Sequence, residues 1–193
     1  MKTRRLSSLI LVTCAALAGC GYGQLDNYAP LTVFDNFRSI EEGRAYRSAQ
    51  LDATTLNLVF DEHGIRTIVN LRGENEQDAW YRNERAAAEK AGVTLVDIRM
   101  SAGRLPSRDA LLLLYDTFQT AEYPILIHCQ SGADRTGAAS AIWRMVVRGD
   151  TREAARIELS LVYGHFEARH PEMDQLVEMF QPDRDWIANV YQP

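Results

Sequence analysis

Along the chain the spacing of apolar positions switches back and forth between the strand and the helix period. A short run at residues 44–47 is followed by helix-like spacing over 52–63, a β-branched run over 65–71, and helical spacing again over 74–91, which stops at Gly92. The rhythm is βαβα. It continues with a strand-like stretch at 93–100, a loop at 101–106, a helix capped by Ser107 that runs to about Thr120, and an apolar strand at 125–128. From there the pattern is helical over 136–147, 151 to about 161, and 167–180, broken by Gly149 and Gly164, with a last helix from about Asp183. Strands alternating with helices predict an α/β fold: a mostly parallel central sheet covered by helices, followed by C-terminal helices. In such a sheet the ligand site lies beyond the carboxyl ends of the strands.

Composition is ordinary for a globular chain of 193 residues, 46% hydrophobic and 24% charged with 12 Gly, 6 Pro and 3 Cys, which excludes disorder, collagen and a disulfide scaffold. The first residues stand apart from the single core expected of this length. Lys2, Arg4 and Arg5 precede an apolar run at 6–17 that is too short for a permanent membrane span. The run ends in Leu17-Ala18-Gly19-Cys20, which resembles the lipobox of bacterial lipoproteins. That resemblance implies a signal peptide at 1–19, a lipidated Cys20, and a periplasm-facing protein anchored in the envelope. Gly21 in place of Asp after the cysteine implies the outer membrane. Residues 20–30 then read as a tether and 31–193 as the domain. The mature chain would carry 18 basic against 26 acidic residues, a net charge of −8 that argues against nucleic acid as a partner. It would also keep Cys129 as its lone free thiol in an oxidising compartment, and a lone exported thiol needs a reason.

That thiol follows the apolar strand, in Ile125-Leu126-Ile127-His128-Cys129-Gln130-Ser131-Gly132-Ala133-Asp134-Arg135-Thr136-Gly137. Cys-x5-Arg spacing alone is weak. A loop of successive backbone N–H groups leading into a helix N-terminus, however, makes a cradle for phosphate oxygens. Gly132 lets this loop turn tightly. Arg135 adds a planar fork that takes two oxygens at once, and the positive cradle depresses the Cys129 thiol toward a nucleophilic thiolate.

Strand, His-Cys, Gly at the third position after the cysteine, and Arg-Thr-Gly opening a helix together resemble the phosphate-binding loop of the cysteine-dependent protein tyrosine and dual-specificity phosphatases. Residues 44–50 and 64–72 look like the opening segments of small dual-specificity-like members, so the resemblance spans about residues 43–148. It implies a phosphomonoester hydrolase that works through a phosphocysteine. Residues Gln130, Ser131, Gly132, Ala133, Asp134 and Arg135 would cradle the phosphate, and the Thr136 hydroxyl would steady the sulfur as leaving group. His128 serves by its place in the strand and by hydrogen bonds to the loop, or else tunes the thiolate directly, and is not a general base. Arg47, Arg72 and Glu74 either line or brace the site or form surface ion pairs.

The general acid is the point of departure from the family pattern. The loop at 101–106, where an Asp is expected, holds no carboxylate. Asp97 lies 32 residues before Cys129 but inside a predicted strand, and Asp134 lies within the phosphate loop, where its alternative role is to brace backbone N–H groups. Trp143 and Trp186 read as packing residues. His63, His165 and His170 show no ligand spacing, so neither metal nor cofactor is expected, and surface or core roles are assigned to them. Phosphorylated protein, an inositol phosphate, or a phosphorylated envelope lipid or glycan all remain open as substrates, with Arg104 favouring polyanions. The rival readings are a rhodanese-like sulfurtransferase, which gives no reason for Gly-x-x-Arg-Thr-Gly, and a non-catalytic lipoprotein that binds phosphorylated ligands.

Overall fold

The computed structural model describes residues 35–193; the signal segment, Cys20 and the tether assigned to 20–30 lie outside the described residues. Five strands form one sheet: β1 (Arg38–Glu41), β2 (Ala45–Ser48), β3 (Thr67–Asn70), β4 (Thr94–Asp97) and β5 (Ile125–His128), in the spatial order β1-β2-β5-β3-β4. β2, β5, β3 and β4 run parallel, and β1 closes one edge antiparallel to β2. The central strand β5 is flanked on both sides, so all four of its residues are buried. Its side chains still alternate, Ile125 and Ile127 to one face and Leu126 to the other.

Each face has its own core. On one side Leu126, Ile68 and Tyr46 pack with Leu56, Val59 and Phe60 of α1 (Ala53–His63) and Ala87 and Ala88 of α2 (Ala79–Ala91). On the other, Ile125, Ile127 and Val69 meet Leu111, Leu114 and Phe118 of α3 (Arg108–Thr120), the small-residue helix α4 (Asp134–Trp143), and Met173, Leu176 and Val177 of α6 (Pro171–Met179). Trp143 is fully buried there, its indole N–H donating to Tyr123 Oη at 3.0 Å, and Trp186 packs against Phe180 and Tyr191.

Several boundaries differ from the sequence expectation. β1 has no counterpart in it. Helical spacing from residue 74 does not become helix until Ala79, because Asp78 Oδ2 accepts from the Asn75 side-chain amide at 2.7 Å and from the Trp80 indole at 2.8 Å. With the Asp78 N–H donating to Asn75 O at 3.1 Å, these bonds hold residues 75–78 in a turn. β4 ends at Asp97 rather than 100, although single bonds from Ile98 N to Asn70 O and Met100 N to Leu71 O follow it. The helix read over 151–161 is one turn of α5 (Arg152–Ala155) running into a 3-10 turn at Arg156–Glu158, with another at Leu161–Tyr163. The helix read from 167 starts at Pro171, since proline fits the first helical position and restrains the residue before it. α4 begins two residues earlier than expected and passes into a π-helical turn, Arg144–Arg148, that Gly149 ends in a left-handed conformation. α7 (Arg184–Asn189) starts as read, capped by Asp183.

Candidate active site

β5 delivers Cys129 at its carboxyl end, between the ends of β2 and β3, and the next residues curl into the N-terminus of α4. The loop is pressed against the end of β2. Gln50 N donates to Gln130 O at 3.2 Å, and at Gly132, φ +69°, a Cβ would lie 2.6 Å from both Ala49 N and Ser48 C. Only glycine fits that turn. Beneath the loop lies Arg47, 0% exposed. Its Nη2 donates to Gly132 O at 2.8 Å, its Nη1 to Glu158 O at 2.8 Å and Oε2 at 2.7 Å, and its guanidinium sits 3.8 Å from the Tyr163 ring centre. Burial pulls its pKa down and Glu158 opposes the shift. Of the alternatives left open for Arg47, the structure shows a buried brace of the loop, not a surface ion pair.

Cys129 is 1% exposed. Burial pushes its thiol up, but the Arg135 charge, the Thr136 hydroxyl and the Thr136 and Gly132 amides outweigh it, and the thiol falls below its ordinary value. Arg135 Nη1 lies 3.4 Å from both Leu71 O and Met100 O, which aim the guanidinium across the ends of β3 and β4. It opens onto a cleft of about 810 Å³ that is also lined by Arg99, Arg104, Ser101 and Leu105.

Behind the thiol a chain of polar contacts runs to the surface. Buried His128 has Nδ1 3.2 Å from Cys129 O and Nε2 2.9 Å from Glu84 Oε1. Burial alone would lower its pKa, but the Glu84 carboxylate raises it, favouring the imidazolium. Gln50 donates to Glu84 at 3.1 Å and accepts from Arg72 Nη1 at 2.9 Å; Arg72 in turn lies 3.4 Å over the Trp80 ring. Burial and repulsion from Arg135 lower the Arg72 pKa, so Arg72 belongs to the field of the site. Glu74 contributes its carbonyl to Arg99.

The two candidate acids are held very differently. Asp97 takes the Asn70 amide at 2.7 Å and the Tyr81 hydroxyl at 2.6 Å, and it opens onto a separate depression beside Glu74 and Glu76. Burial and the Asp97 carboxylate push the Tyr81 phenol far up, so Tyr81 remains a donor. Asp134, the first residue of α4, has Oδ1 2.8 Å from His165 Nδ1, while His165 Nε2 is 2.8 Å from Asp174 Oδ2. His170 Nε2 lies 3.8 Å from Asp134 Oδ2. The structure thus brings Cys129, Gly132, Arg135 and Thr136 together, with Asp134 at the loop's end and Asp97 apart.

His165 is not the incidental histidine that its spacing suggests, because it links the phosphate loop to α6. Its partners Asp134 and Asp174 are 31 and 9 residues away, as Glu158 is 111 residues from Arg47. No local pattern signals such pairs. Asn36 likewise carries no signal in the sequence; its side-chain amide donates to Ser131 O at 3.1 Å and Tyr163 O at 2.9 Å.

A sequence model of the family described as DSP-PTPase phosphatase fused to NAD+ kinase matches residues 24–175. The dual specificity protein phosphatase TpbA of Pseudomonas aeruginosa (strain UCBPP-PA14) is 31% identical over 116 residues, covering 59% of this chain and 49% of that protein. The chloroplastic NAD kinase 2 of Arabidopsis thaliana is 26% identical over 149 residues, covering 69% of this chain and 15% of that protein. The chain therefore spans half or less of the length of the curated relatives it matches. Among solved structures, a P. aeruginosa TpbA variant in complex with pTyr superposes with a TM-score of 0.62 at 26% identity, over 80% of this chain and 91% of that one. The core catalytic domain of the PP-IP phosphatase SIW14 from S. cerevisiae gives 0.62 at 20% identity, over 78% and 88%, and shares the fold. With the match covering most of its length, the chain belongs to the DSP-PTPase family of phosphatases that also occurs joined to NAD+ kinase.

Proposed function

We propose that the chain is a phosphomonoester hydrolase that works through a phosphocysteine. The observation that carries this reading is the depressed thiol of Cys129 among Arg135, Thr136 and the loop amides. The Cys129 thiolate attacks phosphorus, the phosphorus–oxygen bond to the leaving group breaks, and the departing oxygen takes a proton. Gln130 through Arg135 hold the three equatorial oxygens, where the loop N–H groups and the Arg135 fork meet the developing charge. Water then attacks the phosphocysteine and the thiolate departs, steadied by the Thr136 hydroxyl. Asp134 supplies the first proton and receives one from the water. Its place on the loop itself supports that role, as does its Oδ2, which lies 3.8 Å from His170 Nε2 and so beyond hydrogen-bond distance, whereas both Asp97 oxygens accept hydrogen bonds.

Arg99 and Arg104, which line the same open cleft as Arg135, support substrates carrying more than one negative group, such as an inositol phosphate, alongside phosphoprotein. The Leu-Ala-Gly-Cys sequence at 17–20 supports a lipid anchor at Cys20 and a periplasm-facing location. Hydrolysis of an aryl phosphate by the purified chain tests the activity. Turnover that is blocked by vanadate, survives chelators and vanishes in Cys129→Ser is the expected result. Phosphate binding without turnover, or sulfur transfer from thiosulfate to cyanide, would refute it in favour of a binding lipoprotein or a sulfurtransferase.

A further inference from the structure

Among the described residues six large apolar side chains stand exposed, and four of them, Ile157, Leu161, Val162 and Phe166, fall within ten residues. Single exposed apolar residues are ordinary, but such concentration is a mark of an interaction surface. The cause is local. The 3-10 turn Leu161–Tyr163 closes on Gly164, with Tyr163 turned inward against Arg47 and His165 turned inward between Asp134 and Asp174. With those two side chains fixed inside, Leu161 and Val162 are left 70% and 80% exposed. The segment is a pinned ridge whose apolar crest contributes nothing to the core.

The ridge adjoins the phosphate loop. A hollow of about 270 Å³ between them is lined by Ser131, Asp134, Tyr163, Phe166, Arg169 and His170, so the Arg169 cation stands beside the apolar crest, with the Asp134 carboxylate on the loop side of the hollow. The chain also leaves the domain here on its way to its N-terminus. Asn36 bonds both Ser131 O of the loop and Tyr163 O of the ridge, and Asp35 O accepts from Ala49 N at 2.7 Å. The residues between Cys20 and Asp35 can span at most about 50 Å.

We propose that the ridge Leu161, Val162 and Phe166 seats in the surface of a lipid bilayer and presents the Cys129 loop to phosphomonoesters carried by lipid headgroups. This rests on the anchored-phosphatase reading above. Asn36, the ridge and the outer residues of the loop, Ser131 and Asp134, are neighbours on the domain. An apolar crest with a cation beside it matches the acyl boundary and the phosphate layer of a bilayer respectively.

The test uses the full-length protein on phosphatidylcholine vesicles containing phosphatidic acid, with a short-chain soluble phosphatidic acid and an aryl phosphate as parallel substrates. Leu161→Ser combined with Val162→Ser is expected to lower phosphate release from vesicles about tenfold or more, the effect of withdrawing two apolar side chains from an apolar medium. Rates on the two soluble substrates stay within about twofold of the parent protein. A separate Val162→Trp variant gains fluorescence that bromine-bearing acyl chains quench. Equal losses on all three substrates, or an unchanged vesicle rate, would overturn the proposal. So would an indole signal in the Val162→Trp variant that is already shielded without vesicles, which would mean that the chain itself or a second copy covers the ridge. A Cys20→Ser protein that keeps a ridge-dependent vesicle rate supports the ridge and removes the anchor. If the aryl phosphate is not hydrolysed, the phosphatase reading fails, and bromine quenching alone decides the ridge.

Discussion

Replacing Arg47 by Met tests whether the phosphate loop owes its shape to a cation that no ligand touches. Methionine keeps much of the volume and removes every donor. It strands Gly132 O, Glu158 O and Glu158 Oε2, three acceptors that Arg47 now serves at 2.7–2.8 Å. Removing one partner of a buried ion pair costs about 3–5 kcal/mol, chiefly because the other charge stays buried. Arg144, 3.2 Å from Glu158 Oε1, keeps part of that charge paired, so the lower half of the range applies to the pair itself. The unpaired Gly132 carbonyl adds about 1–3 kcal/mol. At about 2–4 °C per kcal/mol for a chain of this size, a total near 4–7 kcal/mol lowers Tm by roughly 8–28 °C.

The loss is not confined to stability. Gly132 supplies one of the amides that hold the Cys129 thiolate, and its carbonyl is the atom that Arg47 ties down. An untethered loop should therefore raise the thiol's titration midpoint and lower kcat/KM on the order of 10²-fold, the effect of a displacement of about 1 Å. Thermal unfolding and the pH dependence of Cys129 alkylation read the two effects separately. Glu158→Gln in the Arg47→Met background should recover part of the stability, because no carboxylate is then left unpaired, while alkylation stays perturbed. A Tm drop under about 3 °C with unchanged alkylation would refute the reasoning, as would strictly additive losses in the double variant.

Thr136→Val removes a hydroxyl that lowers the thiol's pKa, so the alkylation midpoint should move to higher pH and phosphocysteine should accumulate, visible as a burst of aryl alcohol and as a phosphate adduct by mass spectrometry. Glu84→Gln removes the group that raises the His128 pKa against burial. Because the folded value lies above the unfolded one, this pair stabilises fully below about pH 6.5 and loses its effect as pH rises through the raised value. The stability gap between parent and Glu84→Gln, measured by denaturant titration, should therefore narrow toward alkaline pH; a constant gap would show that His128 carries no charge there. Asp134→Asn should slow alkyl phosphates by about 10²–10⁴-fold and barely touch a good aryl leaving group. Asp97→Asn should destabilise by about 1–3 kcal/mol with no dependence on the leaving group, and the reverse pattern across a substrate series would exchange the two roles.

The sheet and the phosphate loop were legible because their signals are local. A four-residue apolar strand, a glycine at the tight turn and an arginine at a helix start each act within a few residues, and strand β5, Gly132 and Arg135 stand where that reading puts them. The C-terminal third was legible as helical but not in its boundaries. Glu158 is buried against Arg47 and Arg144, and the segment around it runs as 3-10 turns where the apolar period predicts helix. The residues that sequence reasoning misses share one property: each acts through a partner in another element. His165 has no value until α6 brings Asp174 to its Nε2, and nothing near Glu84 in the sequence signals that it meets His128.

The same contacts explain why a segment without any motif accompanies the Cys129 loop. The loop carries its own amides and its own arginine, but its outer wall is held from the C-terminal third. Glu158 fixes Arg47 under Gly132, its carbonyl lies where a Gly137 side chain would fall, and His165 fixes Asp134 to Asp174. The Arg47–Glu158 link is ionic and buried, and such a link is worth most when both partners are positioned before they meet. The 3-10 turns at Arg156–Glu158 and Leu161–Tyr163 provide that positioning, at the cost of leaving Leu161 and Val162 outside. The apolar ridge and the braced loop are therefore two consequences of one backbone path. A change that buried the ridge by turning Tyr163 or His165 outward would take the ring away from Arg47 or separate Asp134 from Asp174.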